Sequence, residues 1–417
     1  MQQFFTIHSR HEDVSSVIDD VLRQLHAAPP EATLGFIYVT DSMADEFASL
    51  LQQCKQATGI EHWTGSVGLG IISDDSELYD RPAASIMLTD FSPHSFAMLP
   101  LVSNPQQLDT LPEKVHGFAT SFGVIHCDPL NPDTQEMIQG LQQRLENGFL
   151  VGGLTSSRDA HFQVADDLLS GGLSGVIFSE DVAVLTNLTQ GCSPVGTKHR
   201  ITKSRENVAY GLDGLPALEV LMQDMQITTI EELTAKADSL FAGLCIAGSD
   251  RSDYRVRNLV GVDPEHKLFA INDYLVEGEE LIFCTRNEDA AIRDMQQMLD
   301  KLASRLDGTP KGGIYISCLG RGREQFSGES SEVRMIHETL GNFPLAGFFS
   351  KDEILWYAWK DGGPWLWAIG FLAAGMTAFY MMRLVVLTFF GENRASAEVK
   401  SHIHESPATM TMPLVIL

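Results

Sequence analysis

The sequence predicts an α/β (α+β) protein: two strand-rich α/β domains with mixed sheets, followed by one or more C-terminal hydrophobic helices. Three observations carry this. Short apolar runs bounded by glycine, proline and aspartate recur through the first 350 residues and alternate with stretches of helical period. Each helical stretch carries one apolar stripe, as a helix lying on a sheet requires. From Pro364 to Gly391, by contrast, 28 residues pass with Arg383 as their sole charge.

Charge divides at the same place. Of 29 Lys and Arg and 55 Asp and Glu, 24 and 49 precede residue 351, so the body holds nearly all of the net charge of −26. Its acidity and the absence of a basic run argue against phosphate neutralisation and hence against nucleic acid; it reads as solvated surface. Six cysteines without a C-x-x-C pair fit reduced core thiols, with Cys245 and Cys284 inside apolar runs. Met1-Gln-Gln-Phe-Phe-Thr-Ile7 has neither a basic leader nor a long apolar core, so no secretory signal is expected and the body should be cytoplasmic.

In order, a short first strand is followed by Ser9-x-x-Glu12, a capping-box pattern, and by Val14, Val17, Ile18, Val21, Leu22 and Leu25, one stripe of a helix. Leu34 to Val39 reads as a strand, Ala44 to Cys54 as a helix, and Val67 to Ile72 and Ala84 to Leu88 as strands. Gly117 to Cys127 begins a second round, a helix covers Asp133 to Leu145, and Phe149 opens a strand ending in small residues at Ser157. Leu173 to Phe178 and Val182 to Leu188 read as a hairpin about Ser179-Glu-Asp181. After Asp213-Gly-Leu-Pro-Ala217 the pattern restarts: helices at 216–223 and 229–238, strands at 240–247 and around Asp263-Pro264, then Leu281 to Arg286, a helix to Leu306, Gly313 to Cys318, and a helix near Ser330 to Leu340. Domains are expected at 1–208, 209–349 and 350–417.

Gly152-Gly-Leu-Thr-Ser156, Gln190-Gly-Cys-Ser-Pro-Val-Gly196 with Leu212-Asp-Gly-Leu-Pro-Ala217, and Cys318-Leu-Gly-Arg-Gly322 running to Pro344-Leu-Ala-Gly-Phe-Phe349 resemble, in this order, the FIST family, with its FIST N and FIST C domains. Arg257-Asn-Leu-Val-Gly-Val-Asp263 and Arg286-x-x-x-Ala290 fit the second domain's pattern. The resemblance covers residues 5–349 and implies an intracellular sensory protein that binds a small ligand, amino acids being the proposed class, with an unidentified signalling partner. The ligand-binding set so implied is Gly152, Gly153, Thr155, Ser156, Gln190, Gly191, Cys192, Arg257, Arg286, Cys318, Gly320, Arg321, Gly322 and Arg323.

The residues support that set by their chemistry. The loop Leu319–Gly328 joins a strand to a helix, where free N–H groups favour an anion, and Arg321 and Arg323 add forked donors for a carboxylate, or else pair with neighbouring Asp and Glu. Gly152 and Gly153 permit close backbone approach and Thr155 and Ser156 supply hydroxyls; a plain turn would use the same residues. No Gly-Lys-Ser/Thr ending, G-x-S-x-G elbow or H-E-x-x-H occurs, and His8 with His11 or His402 with His404 lacks further ligands, so no metal, cofactor or catalytic residue is expected. A thiol enzyme built on Cys192 or Cys318 would need a base beside the sulfur.

Beyond residue 346 a second resemblance begins. Gly347-Phe-Phe-Ser-Lys-Asp-Glu-Ile-Leu355, Thr377-Ala-Phe-Tyr380 with Arg383, Phe389-Phe-Gly-Glu392 and His404-Glu-Ser-Pro407 look like a fragment of subunit L of NADH:quinone oxidoreductase, an antiporter-like subunit in which Lys351 and Asp352 would belong to the proton path. Gly-Phe-Phe is common to both patterns, so the seam reads as a fusion or misassembled join that replaces the last strand of the FIST C domain. Pro364 to Met382 makes about 28 Å of helix, one hydrocarbon core, flanked by Trp356, Trp359, Trp365 and Trp367. The expectation is a body attached to the inner membrane through 364–391, with a second span begun at Met410–Leu417.

Overall fold

Leu34–Thr40, buried at all seven positions, runs through the middle of the first sheet. The computed structural model describes residues 3–118, 121–145, 148–245 and 254–350. The chain divides into Met1–Asp352 and Glu353–Leu417; Lys351, Asp352, the expected span 364–391 and the stretch Met410–Leu417 lie outside the described residues. Among the described residues no helix is long and apolar enough to cross a membrane, and the architecture is mixed α/β with eight α-helices.

Leu34–Thr40 pairs in parallel with His62–Gly68 and antiparallel with Ala83–Thr89. Phe4–Arg10, Gln163–Ala165 and Asp167–Leu169 complete a sheet of six strands. Alternation decides its faces: Ile37 and Val39 meet the helices Val14–Leu25 and Phe47–Thr58, whereas Leu34, Phe36 and Tyr38 face the other way. There they pack on Phe96, Phe122, Val124 and Phe178 of a second sheet, Phe96–Val102, Leu173–Ser179, Ser121–Cys127 and Phe149–Leu154. Met137 and Leu141 of the helix Thr134–Arg144 cover its far face. The order of layers is helix, sheet, sheet, helix.

The second part is a closed sheet. Ser193–Arg205 is long enough to pair with Glu280–Thr285 through its first half and with Val208–Leu212 through its second. Leu240–Cys245, Tyr254–Asp263 and Leu268–Ile271 fill the circuit between them, and closure leaves none of these six strands at an edge. Leu218 and Leu221 of the helix Ala217–Asp224 pack with Phe269 and Phe283 as its core.

A fourth sheet joins an early and a late segment of the described chain. Gly313–Cys318 pairs in parallel with Leu345–Ser350, and Leu345–Ser350 pairs on its other side with Gly70–Ile72, which is hairpinned to Glu77–Tyr79. Phe348 stacks on Tyr38 at 5.3 Å and Phe349 lies 4.7 Å from Tyr79. The helices Glu288–Ala303 and Ser331–Leu340 cover the outer face through Met295, Leu299, Val333 and Ile336.

Three expectations change. Ser9 is buried within the strand Phe4–Arg10, and the first helix is capped instead by Asp13, whose Oδ1 accepts from Ser16 N at 2.8 Å; a cap must be non-helical yet next to the first turn, and only Asp13 is. Val182 to Leu188 forms no strand. Leu173–Ser179 already has Phe96–Val102 on one side and Ser121–Cys127 on the other, so no edge remains for a hairpin partner, and Leu185 and Leu188 are exposed. The boundary expected at 208/209 falls inside the barrel, because Val208–Leu212 pairs with the second half of Ser193–Arg205 and turns at Asp213-Gly214 into Leu215–Pro216.

Two of the sequence motifs meet at His199 in this barrel. Its Nδ1 lies 2.7 Å from Asp213 Oδ2 and its Nε2 2.8 Å from Asp224 Oδ2. Gly196 is left-handed at φ 72, and a Cβ there would stand 2.0 Å from Asp224 Oδ2, so glycine is what lets the carboxylate reach the ring. Two acceptors on two ring nitrogens call for an imidazolium. Burial alone would lower the His199 pKa, but the hydrogen bonds to Asp224 and Asp213 outweigh it and raise the value. The clamp therefore contributes fully below the unfolded histidine pKa of about 6.5 and fades as pH rises through the higher folded value. Calorimetry above about pH 6.5 should show Tm falling with pH, and His199→Gln should flatten that slope; an unchanged slope in the variant would remove His199 from the account.

Candidate functional site

Three parallel strand pairs point their carboxyl ends at one another. Leu34–Thr40 and His62–Gly68 end at Thr40 and Gly68, Ser121–Cys127 and Phe149–Leu154 at Cys127 and Leu154, and Gly313–Cys318 and Leu345–Ser350 at Cys318 and Ser350. Hydrogen bonds tie these ends together. Leu154 N donates to Ser350 Oγ at 2.9 Å, Leu69 N to Ser156 Oγ at 2.9 Å, Ser156 Oγ to Phe349 O, and Leu319 N to Ser350 O at 2.9 Å. The carboxyl ends of parallel strands are where α/β sheets accept ligands, since the loops there are free to diverge.

At this place lies a cavity of about 110 Å³ lined by Leu69, Tyr79, Asp80, Arg158, Leu319 and Arg323. Its polar groups alternate in sign. Arg158 Nη1 is 3.1 Å from both oxygens of Asp41, and its Nη2 is 3.4 Å from Asp80 Oδ1. Arg323 Nη1 donates to Asp80 Oδ2, and its guanidinium lies 4.8 Å over the Tyr79 ring. The hydrogen bond from Arg323, with the charges of both arginines, holds the Asp80 carboxyl below the usual range. Two cations and one anion thus line the space, Arg158, Arg323 and Asp80 being half-exposed and open to exchange, while the nearly buried Asp41 holds Arg158 from outside the lining.

Behind the cavity the polar groups are buried. Glu332, 0% exposed, accepts from Arg321 Nε at 2.9 Å and Nη2 at 2.8 Å, from Tyr315 Oη at 2.7 Å and from Ser317 Oγ at 2.9 Å. Glu77 accepts from Glu332 N at 3.0 Å and from Tyr79 Oη at 3.1 Å. Burial, reinforced by the Glu332 charge, raises the Glu77 pKa. Arg321 pairs with Glu332, and Glu77 is left beside that carboxylate with neutral donors.

The structure separates the expected site residues. Arg323 lines the cavity, and Gly322 lies against the Tyr79 hydroxyl that closes its back. Arg321, two positions away, turns inward to Glu332. Gly152 and Gly153 lie in the parallel register with Ile125 and His126, Thr155 Oγ1 is bonded to His161 Nδ1 at 2.9 Å, and Ser156 is engaged with Leu69 and Phe349, so these four fasten the strand ends. Cys318 ends its strand beside Ser350, and Gly320 is exposed in the following loop. Gln190, Gly191, Cys192 and Arg286 gather at the start of the barrel, and Arg257 pairs with Asp273 at 2.8 Å on a barrel strand. Leu69, Tyr79, Asp80, Arg158 and Asp41 were missed. Arg158 follows the Gly152–Ser156 motif directly and was legible there; Tyr79-Asp80 sits in a short hairpin with no motif. Among the described residues no three His, Cys, Asp or Glu are grouped to hold a metal.

Glu332→Gln would leave the Arg321 guanidinium buried without a carboxylate and is expected to lower stability by about 3–5 kcal/mol in urea unfolding. Glu77→Gln should behave oppositely. A carboxyl whose folded pKa is raised stabilises most below the unfolded value of about 4.3 and loses that contribution as pH rises, so at neutral pH the amide should be as stable as the native residue or more so. A loss in Glu77→Gln comparable to that in Glu332→Gln would contradict this assignment.

Comparison with known proteins agrees with the motifs. Residues 33–215 match the FIST N domain and residues 217–355 the FIST C domain, so the match divides slightly beyond the expected 208/209 and runs past residue 349. The chain is similar to the uncharacterized protein Rv0628c of Mycobacterium tuberculosis, 27% identical over 325 residues covering 76% of this chain and 83% of that one. It is also similar to the uncharacterized protein Mb0898c of Mycobacterium bovis, 25% identical over 323 residues covering 76% and 82%. A stretch of 81 residues, 19% of this chain, is 47% identical to NADH-quinone oxidoreductase subunit L of Mycobacterium tuberculosis and spans 12% of that subunit. The chain belongs to the FIST family, whose paired N and C domains are consistent with a sensory role.

Proposed function

We propose that the chain is an intracellular sensor of a small amino acid, bound in the cavity between Arg158 and Arg323. The observation that carries this is the mixed charge around that space: Arg158 and Arg323 line it together with Asp80, to which both are paired. A ligand with one charge would strand a group of its own sign, whereas a zwitterion offers a carboxylate to the guanidinium groups and an ammonium to Asp80. A cavity of about 110 Å³ favours a compact side chain. Arg158 and Asp80 belong to the FIST N portion and Arg323 to the FIST C portion, so a ligand that replaces their mutual pairs acts on both parts. It shifts the population of states only if it binds one of them more tightly.

The alternatives receive less support. Burial raises the Cys192 pKa, the charges of Arg286 and Arg321 notwithstanding, and a protonated buried thiol is a poor nucleophile. A proton relay needs several membrane helices, and the stretch similar to subunit L is 12% of that protein. A panel of amino acids added to the full chain should raise Tm for the preferred member, by about 2.7 kcal/mol of stabilisation at about 100 times Kd. Arg158→Ala and Arg323→Ala should each weaken that response at least about tenfold, since each removes a charge-assisted pair. A flat panel at millimolar concentration would reject amino-acid sensing.

A further inference from the structure

The cavity of Arg158 and Arg323 has an apolar half, made by Leu69, Leu319 and Tyr79. Leu69 is the first residue beyond the strand His62–Gly68, Leu319 the first beyond Gly313–Cys318, and Tyr79 the last of Glu77–Tyr79. Three separate strand ends therefore meet here through carbon.

Backbone contacts fix both leucines. Leu69 N donates to Ser156 Oγ at 2.9 Å, and Leu319 N donates to Ser350 O at 2.9 Å. Gly68 and Gly70 flank Leu69, and a Cβ on them would stand 2.6 Å from Gly70 O and 2.5 Å from the Tyr79 ring. Of these three positions, only that of Leu69 has room for a side chain. Leu319 and Tyr79 pack on the core around Ile72 and Phe349, so their wall is backed, whereas Leu69 is half-buried and free to be trimmed or enlarged.

The polar half is already matched in charge. Asp41, 7% exposed, holds Arg158 from outside the lining, and Asp80 pairs with both Arg158 and Arg323. Two guanidinium groups and two carboxylates sum to zero. The Tyr79 hydroxyl is committed to Glu77 Oε2 at 3.1 Å, and the Arg323 guanidinium covers the Tyr79 ring. A zwitterion leaves this balance undisturbed, but a further charge on its side chain would be enclosed without a counter-charge, which is costly.

We propose that the side chain of the bound amino acid is short and aliphatic and lies between Leu69 and Leu319, with Leu69 setting the length accepted. This rests on the amino-acid reading of the cavity and narrows it to one class. Each methylene buried against the leucines tightens binding about fourfold. The gain ends when the cavity of about 110 Å³ is full, because a backed wall resists overpacking.

Titration calorimetry of the full chain with glycine, alanine, 2-aminobutyrate, valine, leucine, serine, aspartate and lysine tests this. Kd is expected to fall about fourfold per added carbon from glycine to an aliphatic optimum and to rise beyond it. Serine should bind more weakly than its isostere 2-aminobutyrate, and aspartate and lysine at least about tenfold more weakly than the optimum. Leu69→Ala should move the optimum to a longer side chain and Leu69→Phe to a shorter one; if neither variant folds, the native series decides. An optimum at serine, aspartate or lysine, or the same optimum in the native protein and both variants, overturns the proposal and leaves amino-acid sensing standing. Absence of binding by all eight overturns both.

Discussion

The strand Leu345–Ser350 is the element on which the arrangement depends. It lies between Gly313–Cys318 and Gly70–Ile72, so one strand near the end of the FIST match completes a sheet begun in its first quarter. Its small and aromatic residues suit both duties. Gly347 pairs with Tyr315 on one side and Ile72 on the other, while Phe348 and Phe349 point to opposite faces, into the layers around Tyr38 and against Tyr79. Burying each aromatic side chain contributes on the order of 1.5–3 kcal/mol, which offsets the entropy of closing so long a loop, because that entropy grows only with the logarithm of length.

Neighbouring arginines acquire opposite duties from this frame. Arg321 is drawn into the interior by a carboxylate that has no exposure, and Arg323 is left at the surface over an aromatic ring with an aspartate it can exchange. The first is structural; the second stands where a soluble ligand can reach it. A loop that fixes one guanidinium positions the next, and this is how a flexible glycine-rich segment presents a charge at a defined place.

Most strands and helices were legible from periodicity and turn residues because each has one buried face. What was not legible depended on partners distant in sequence. Val182 to Leu188 has the composition of a strand and no neighbour to bond with. Asp213-Gly214 reads equally as a linker or a hairpin turn, and the pairing of Val208–Leu212 with Ser193–Arg205 decides it. The glycines and hydroxyls at 152–156 read from the sequence as a ligand lining or a plain turn; in the fold the hydrogen bonds of this stretch go to Leu69, Phe349 and Ser350, partners no local pattern announces. Asp41 and Asp80 were hidden for the same reason, being ordinary acidic residues until Arg158 folds onto them.

The late strand also sets an order of events during synthesis. Gly70–Ile72 and Glu77–Tyr79 can hairpin as soon as they emerge, yet the outer side of Gly70–Ile72 has no neighbour until Leu345–Ser350 is made. At about 5–20 residues per second that interval lasts roughly 15–55 s. For that time the apolar surface around Ile71, Leu78 and Tyr38 is open in the nascent chain. The ribosome-bound intermediate is therefore the form of this protein most exposed to chaperones and to wrong pairing, and its vulnerability ends only when nearly the whole FIST sequence has been translated.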